Sequence, residues 1–295
     1  FPCMAPEETI SKYRGKYMKG WDALREERFA RQKAMGLIDE QWALETRPDQ
    51  VPAWDSLSAE EQRRYDDMMA IYAAMIEEVD KNLGKLVSAL QERGELENTL
   101  ILFLSDNGGN AEAGVQGKYK GEQPGGPHSD VFIGRCWAHL NNTPFRKYKH
   151  YNHEGGTASP LIAHWPAGIS SQSSREQWIR KPTHLIDIMA TCVDLGEAEY
   201  PKVFRGHEII PMQGQSLKPL LTGEGEFEDR PLFWEHEGNA AIRVGDRKLV
   251  RQGMRGQWEL FDLAADRTEQ RDLSGEFPQE VEALQSQWRR WARQA

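Results

Sequence analysis

The most regular pattern of apolar and polar positions runs from residue 58 to residue 94. Apolar and aromatic side chains recur there every three or four residues, which predicts one long amphipathic helix. Ser58 and Glu61 form a capping-box pattern at its start, and Gly94 is a suitable residue for its C-cap. We expect the methionine-rich stripe of this helix to belong to the core rather than to a binding surface.

A continuous apolar run at residues 99–104 follows the predicted helix and ends in the polar motif Ser-Asp-Asn-Gly-Gly at residues 105–109. Such a run predicts a buried strand, and a helix followed closely by a buried strand is typical of an α/β unit with a parallel sheet. Residues 159–165 have a similar composition and predict a second buried strand. The central part of the chain is therefore expected to be α/β.

Weaker patterns fill the rest of the first 230 residues. Helices are predicted within 21–45, over 183–195 and around 217–221. Residues 108–150 have no clear periodicity and are punctuated by glycine and proline. A loop of that length is usually functional or disordered, and its many aromatic side chains argue against disorder.

The pattern of apolar and polar residues changes after residue 230. Short strand candidates separated by turn residues are followed by an amphipathic pattern at 278–293, so we expect a small antiparallel sheet and one helix. The predicted domains are 1–230 and 231–295, the second being a small C-terminal α+β subdomain.

Composition excludes several classes of protein. The 295 residues carry a net charge of −9 and no block of lysine or arginine, which argues against nucleic acid as a partner. No apolar run approaches the roughly 20 residues of a membrane span. The three cysteines lie far apart without a CxxC motif, so neither a disulfide framework nor a zinc site is indicated.

Asp106 and Asn107 are the first candidates for a functional site. They follow the strand predicted at 99–104, and ligands in open α/β sheets bind beyond the carboxyl ends of the strands. A carboxylate beside a side-chain carbonyl suits a hard cation such as Ca²⁺ or Mg²⁺. The alternative interpretation is a simple turn, in which Asp, Asn and Gly are favoured residues.

A series of motifs in fixed order gives the chain a family resemblance. The motifs are Ser105-Asp106-Asn107-Gly108-Gly109, Lys149 five residues before Glu154-Gly155-Gly156, Pro160-Leu161-Ile162 with Trp165-Pro166, Thr183-His184-Leu185-Ile186-Asp187, Gln213-Gly214-Gln215-Ser216-Leu217, Trp234-Glu235 and Trp258-Glu259-Leu260-Phe261-Asp262-Leu263. Together they resemble the second half of an arylsulfatase-type, formylglycine-dependent sulfatase of the alkaline-phosphatase-like superfamily. The implied fold is α/β, part of a mixed sheet flanked by helices, followed by the small C-terminal antiparallel sheet with one helix. The resemblance also implies that residues 1–230 are the C-terminal portion of the sulfatase catalytic domain.

The resemblance implies a calcium-dependent sulfuric ester hydrolase. Asp106 and Asn107 match the family's late pair of calcium ligands, and Lys149 matches the lysine that contacts the sulfate and stabilises the leaving oxygen. A solvated lysine is the alternative for Lys149, with Lys147 as the nearest rival in register. The implied substrate is a sulfated small molecule or polysaccharide, and the implied location is periplasmic or extracellular.

The family nucleophile has no counterpart in these residues. In the family it is a formylglycine made from the first residue of a Cys/Ser-x-Pro-x-Arg motif, and neither Cys3, Cys136 nor Cys192 is followed by this pattern. The early metal ligands and early sulfate contacts of the family are also missing. The expectation is that the chain is the C-terminal part of a longer protein, that it alone is inactive, and that it binds Ca²⁺ weakly.

Two alternatives remain beside the sulfatase. A phosphodiesterase or phosphonate hydrolase of the same superfamily would favour an Asp-His pair and two metals, whereas Asp106 is followed by Asn107, which favours one Ca²⁺ and sulfate. The other alternative is a non-catalytic relative that retains the fold. The sequence leaves open the sulfate ester, the oligomeric state and the roles of four histidines, His128, His139, His150 and His153.

Overall fold

The computed structural model describes residues 1–169 and 178–294. Its helices are α1 (Glu7–Ser11), α2 (Gly20–Ala34), α3 (Ala59–Glu92), α4 (Gly134–Asn141), α5 (Glu154–Thr157), α6 (Asp187–Leu195), α7 (Lys218–Thr222) and α8 (Pro278–Ala292). Its strands are β1 (Ile101–Leu104), β2 (Lys118–Lys120), β3 (Asp130–Phe132), β4 (Leu161–His164), β5 (Val203–Phe204), β6 (His207–Glu208), β7 (Leu232–His236), β8 (Asn239–Val244), β9 (Arg247–Arg251) and β10 (Trp258–Asp262). Among these described residues no helix is both long and apolar enough to cross a membrane.

The long helix α3 begins and ends as its sequence predicts. The Ser58 amide N–H donates to the Glu61 carboxylate at 2.9 Å, and the Glu61 N–H donates to Ser58 Oγ at 3.3 Å. This reciprocal pair is the capping box. Gly94 follows the last turn with a φ of +71°, the left-handed conformation that glycine adopts without steric cost.

The apolar stripe of α3 is core only in its first half. Met68 and Met69 are buried among the aromatic side chains of the surrounding core. Further along the same stripe, Ile76 is 49% exposed and Val79 is 45% exposed. The core prediction for the stripe is therefore confirmed up to the middle of the helix and wrong beyond it, because periodicity marks an apolar face but does not show what covers it.

The chain divides into two compact units. The first unit contains Phe1–Leu86, Asn107–Ser159 and Phe233–Ala295, and the second contains Val87–Asp106 and Pro160–Leu232. The C-terminal sheet and helix thus group with earlier parts of the chain. The predicted domain boundary at residue 230 stays a prediction.

The core of the first unit forms around an aromatic cluster. Trp21 of α2 lies edge-on to Trp54, Tyr65 and Trp137, with ring centroids 4.9 to 5.4 Å apart. Edge-on packing is a favoured arrangement of aromatic rings and adds to the free energy gained from their burial. The buried Trp137 belongs to α4, so this cluster joins α2, α3 and α4.

The structure corrects the predicted sheet of the second unit. Strands β1 and β4 pair antiparallel, with Ile101 opposite His164 and Leu104 opposite Leu161. Phe103 and Ile162 face each other in this register and are 44% and 61% exposed, so the strands are not buried on both faces. The parallel arrangement was wrong because a long connection without a single crossover helix allows the chain to return in either direction.

Residues 108–150 contain more regular structure than their sequence indicates. They form the hairpin of β2 and β3 and the helix α4. Most side chains of α4 are buried, including Cys136, Trp137, His139 and Leu140. Because this helix has only eight residues, it is shorter than the stretch of sequence over which a helical period is recognised.

The C-terminal sheet confirms the predicted small antiparallel sheet with one helix. Its strand order is β10–β9–β8–β7, and β9 pairs antiparallel with both neighbours. Alternate residues face opposite sides. One face packs Ile242, Leu249 and Leu260 with side chains of α8. The opposite face carries Val250 and Phe261 together with charged side chains that reach the candidate site.

Candidate functional site

The candidate site is built on residues 146–157, here called the site segment, which belongs to the first unit. Its backbone packs directly on the glycines that follow Asn107. The Gly108 N–H donates to Gly156 O at 3.0 Å, and the Lys149 N–H donates to Gly109 O at 3.1 Å. A Cβ atom on Gly108 would lie 1.7 Å from a backbone oxygen, so only glycine fits there.

The C-terminal sheet anchors the middle of the site segment through a buried charge cluster. Lys248 Nζ of β9 lies 2.8 Å from Glu154 Oε1, and Arg267 Nε donates to Glu154 Oε2 at 2.9 Å. Glu269 completes the cluster, since its carboxylate accepts the Glu154 backbone N–H at 2.9 Å and lies 3.1 Å from Lys248. The cluster fixes the backbone five residues after Lys149.

Glu154 remains a carboxylate in this buried position. Burial by itself raises its pKa, but the charges of Lys248 and Arg267 outweigh that effect and lower the pKa to about 2. Its bonds to Lys248 and Arg267, and that of its backbone N–H to Glu269, hold the turn that carries the Glu-Gly-Gly motif.

A second anchor involves His153. This histidine is buried, and its Nε2 lies 3.1 Å from Glu259 Oε2, while Arg146 Nη1 lies 3.2 Å from the other oxygen of the same carboxylate. Burial by itself raises the pKa of Glu259. The hydrogen bond from His153 and the charge of Arg146 outweigh this effect and lower the pKa to about 2. His153 is therefore held away from the cavity and contributes to structure.

An open cavity of about 210 Å³ lies beside the site segment. It is lined by Asn107, Lys149, His150, Tyr151, Asn152, Gly156, Thr157 and His236. Two predicted site residues, Asn107 and Lys149, thus share one cavity. The side chain of Lys149 is 31% exposed, and its Nζ lies 2.6 Å from Glu112 Oε1. This hydrogen bond lowers the pKa of Glu112.

The two predicted metal ligands are adjacent in sequence and have different surroundings. Asp106 is exposed, whereas Asn107 is partly buried and lines the cavity. The boundary between the two units falls between them. Their carboxylate and amide oxygens are the donor types that Ca²⁺ prefers, so the donor chemistry fits, although two residues provide fewer than the six to eight ligands of a complete calcium site. Their role as ligands stays a prediction.

The other histidines named by the sequence analysis have distinct positions. His128 is exposed. His139 is buried on α4, where burial and the nearby charge of Arg25 lower its pKa to about 3. Neither belongs to the lining of the cavity described above.

The structure adds residues that the sequence analysis missed. Glu112 has no sequence signal, because its pairing with Lys149 joins positions 37 residues apart. His236 is the last residue of β7 and Glu237 begins the turn after it, so a His-Glu pair at a strand end was a usable signal. Their ligand atoms and that of His150 all lie within 4.8 Å of one another, a spacing that permits metal binding.

Comparison with known proteins identifies the family. The model of the Sulfatase family matches residues 2–198, which is more than half of the chain. The chain therefore belongs to the sulfatase family.

Individual relatives agree with this assignment. The chain is 32% identical over 310 residues to an uncharacterized sulfatase of Schizosaccharomyces pombe, covering 98% of this chain and 55% of that protein. It is 29% identical over 233 residues to an arylsulfatase of Klebsiella aerogenes, covering 74% of this chain and 48% of that protein. The chain spans about half the length of these curated relatives.

The fold is also shared with solved structures. A putative sulfatase from Bacteroides fragilis superposes with a TM-score of 0.54 at 17% identity, covering 98% of this chain and 50% of the other. At this level of identity the match concerns the fold alone. It confirms the expected part of an alkaline-phosphatase-like fold.

Proposed function

We propose that Asp106, Asn107 and Lys149 form part of the catalytic site of a calcium-dependent sulfatase. Such an enzyme hydrolyses the sulfate ester of a small molecule or polysaccharide. The observation that carries the proposal is the shared cavity of Asn107 and Lys149 in a chain of the sulfatase family. A phosphodiesterase or phosphonate hydrolase of the same superfamily is the alternative, and a non-catalytic relative is a further one.

In the proposed site the lysine acts on the sulfate. The ammonium group of Lys149 reaches the cavity and neutralises charge that develops on the sulfuryl and leaving oxygens. Its partner Glu112 is partly exposed, so the ion pair contributes little free energy. The lysine can therefore exchange Glu112 for an anionic ligand at a small cost in free energy.

The proposed calcium ion is assigned to Asp106 and Asn107. Their oxygen atoms are suitable donors, and the remaining ligands would come from residues outside this chain. When bound, the ion polarises the sulfuryl group as a Lewis acid. The nucleophile, a formylglycine in the family that the chain resembles, is assigned to sequence upstream of residue 1, and a periplasmic or extracellular location is proposed for the protein.

Binding of inorganic sulfate tests the role of Lys149. Isothermal titration of the 295-residue chain is expected to detect weak sulfate binding that Lys149→Met abolishes. Lys147→Met is the matched control, because Lys147 lies two residues away and its Nζ packs over the ring of Tyr151. Equal loss of binding in both variants would contradict a specific role for Lys149.

Turnover distinguishes the proposed functions. The isolated chain is expected to show no hydrolysis of an aryl sulfate and only weak Ca²⁺ binding, which Asp106→Asn weakens further. Measurable turnover by the isolated chain would overturn the assignment of the nucleophile to upstream sequence. The residues encoded before Phe1 provide a second test, since a Cys/Ser-x-Pro-x-Arg motif supports the sulfatase and its absence from the intact protein supports the non-catalytic relative.

If that motif is present, the intact protein is expected to hydrolyse an aryl sulfate faster than a phosphodiester or a phosphonate monoester. The reverse order would favour the alternative enzyme of the same superfamily.

A further inference from the structure

A group of potential metal ligands that the proposed function does not use lies beside the cavity. It consists of His150, His236 and Glu237, and we call it the His-Glu cluster. We propose that the His-Glu cluster binds a divalent transition-metal ion of the zinc class, at a site separate from the calcium ion assigned to Asp106 and Asn107.

The spacing of the ligand atoms in the cluster is compatible with a shared ion. The Glu237 carboxylate approaches both imidazoles, with Oε2 3.0 Å from His150 Nδ1 and Oε1 3.9 Å from His236 Nε2, while the two rings stack with their centroids 5.5 Å apart. His150 Nδ1 is buried, yet it makes no hydrogen bond despite the nearby carboxylate. Ligand atoms around a tetrahedral Zn²⁺ lie roughly 3.4 Å apart, since each is about 2.1 Å from the metal. The atoms of His150 and Glu237 already have nearly this separation.

One buried side chain fixes the two histidines relative to each other. Asn239 Nδ2 donates to the backbone oxygen of His150 at 2.8 Å and to that of His236 at 3.0 Å. Its Oδ1 accepts the Gly253 N–H at 2.9 Å, which holds the amide in this orientation. The turn between β7 and β8 is further held by Glu235, whose carboxylate accepts the Gly238 N–H at 3.0 Å. The cluster is therefore positioned by its surroundings, as metal ligands usually are.

The donor types define the class of ion. Two imidazoles with one carboxylate suit zinc and its neighbours among the transition metals, whereas calcium takes oxygen ligands. Three protein ligands leave a coordination position open, and two of them line the cavity. With neutral imidazoles, the charges of Glu237, Glu112 and Lys149 sum to −1 around His150, which favours a cation.

Metal binding to the cluster would connect two parts of the first unit that meet at the cavity. His150 belongs to the site segment directly after Lys149, His236 ends β7, and Glu237 begins the turn that follows. The ion would therefore restrict the backbone that carries Lys149. The proposal concerns binding of a metal alone, so it does not depend on sulfatase activity.

The test is titration of the metal-free 295-residue chain with Co²⁺, which reports its ligands by visible absorption, followed by displacement with Zn²⁺. We expect one Co²⁺ per chain, displaced by Zn²⁺ and not by an excess of Ca²⁺. His236→Ala and Glu237→Gln are each expected to weaken Co²⁺ binding more than about tenfold. His207→Ala is the matched control, because it removes an exposed histidine that lies on β6 in the other unit.

Folding of the variants is checked without metal. His236 and Glu237 are exposed, so their replacement is expected to leave the thermal midpoint of the metal-free chain unchanged. Unchanged Co²⁺ affinity in both variants, or displacement by Ca²⁺, would overturn the proposal. An equal loss of Co²⁺ affinity in His207→Ala would also overturn it, since Co²⁺ would then be bound by surface histidines without a defined site. Complete absence of Co²⁺ binding would overturn it as well, and would leave the cluster as an ion pair of His150 with Glu237.

Discussion

Two charge clusters on the site segment lie five residues apart and have opposite environments. The cluster around Glu154 is closed, because Lys248 and Glu269 are completely buried and Arg267 covers the second oxygen of Glu154. The cluster around Lys149 is open to the cavity, and its Glu112 partner is 37% exposed. Both clusters pair lysine with glutamate, so burial accounts for the difference between a closed and an open environment.

This difference separates positioning from chemistry. A buried charge that loses its partner cannot recover the free energy of hydration, so the pairing of Glu154 with Lys248 is obligatory. An exposed charge exchanges its partner for water or a ligand at little cost. The segment is therefore fixed at Glu154 and remains available for binding at Lys149.

The largest expected effect comes from removing the lysine of the closed cluster. Lys248→Met leaves Glu154 and Glu269 buried without their shared cation, and we expect a loss of about 3–5 kcal/mol in the free energy of unfolding. Urea denaturation monitored by tryptophan fluorescence measures this change. The matched control is Lys19→Met, which removes the exposed partner of Glu27 and is expected to cost less than about 1 kcal/mol. Similar losses in the two variants would refute the distinction between closed and open clusters.

The second-largest expected effect is a loss of unfolding free energy when acid protonates the closed cluster. The pKa of Glu154 is lowered in the folded chain to about 2 from an ordinary value of 4.5, so its contribution is complete above pH 4.5 and is lost as the pH falls toward 2. The difference in unfolding free energy between the unmodified chain and Glu154→Gln should therefore shrink by roughly 3 kcal/mol across this interval. Denaturation curves at a series of pH values measure this difference. A difference that stays constant with pH would contradict a lowered pKa of Glu154 in the folded chain.

The smallest expected effect concerns the open cluster. Lys149→Met should change the free energy of unfolding by less than about 1 kcal/mol, because its ion pair with Glu112 is partly exposed and screened by solvent. The same denaturation measurement applies, and the sulfate titration proposed above gives the binding readout. A loss as large as that of Lys248→Met would mean that Lys149 stabilises the fold and is not available for a ligand.

The sequence was most informative where local physics decides the structure. The capping box of Ser58 and Glu61 and the C-cap at Gly94 depend on residues within one or two helical turns, and both were found as predicted. The C-terminal sheet was predictable because alternating residues and turn signals lie close together in the chain. The helix α4 escaped prediction because its eight residues are fewer than a helical period needs to be recognised in the sequence.

By itself the sequence determined the sulfatase resemblance, the α/β class and the candidates Asp106, Asn107 and Lys149. Only the tertiary structure placed Asn107 and Lys149 in one cavity, paired Lys149 with Glu112 and brought His236 and Glu237 to His150. These contacts join residues 37 to 87 positions apart, counted from Glu112–Lys149 and His150–Glu237. Motifs are recognisable because spacing along the chain preserves them, whereas contacts across such distances follow from packing, which no local pattern encodes.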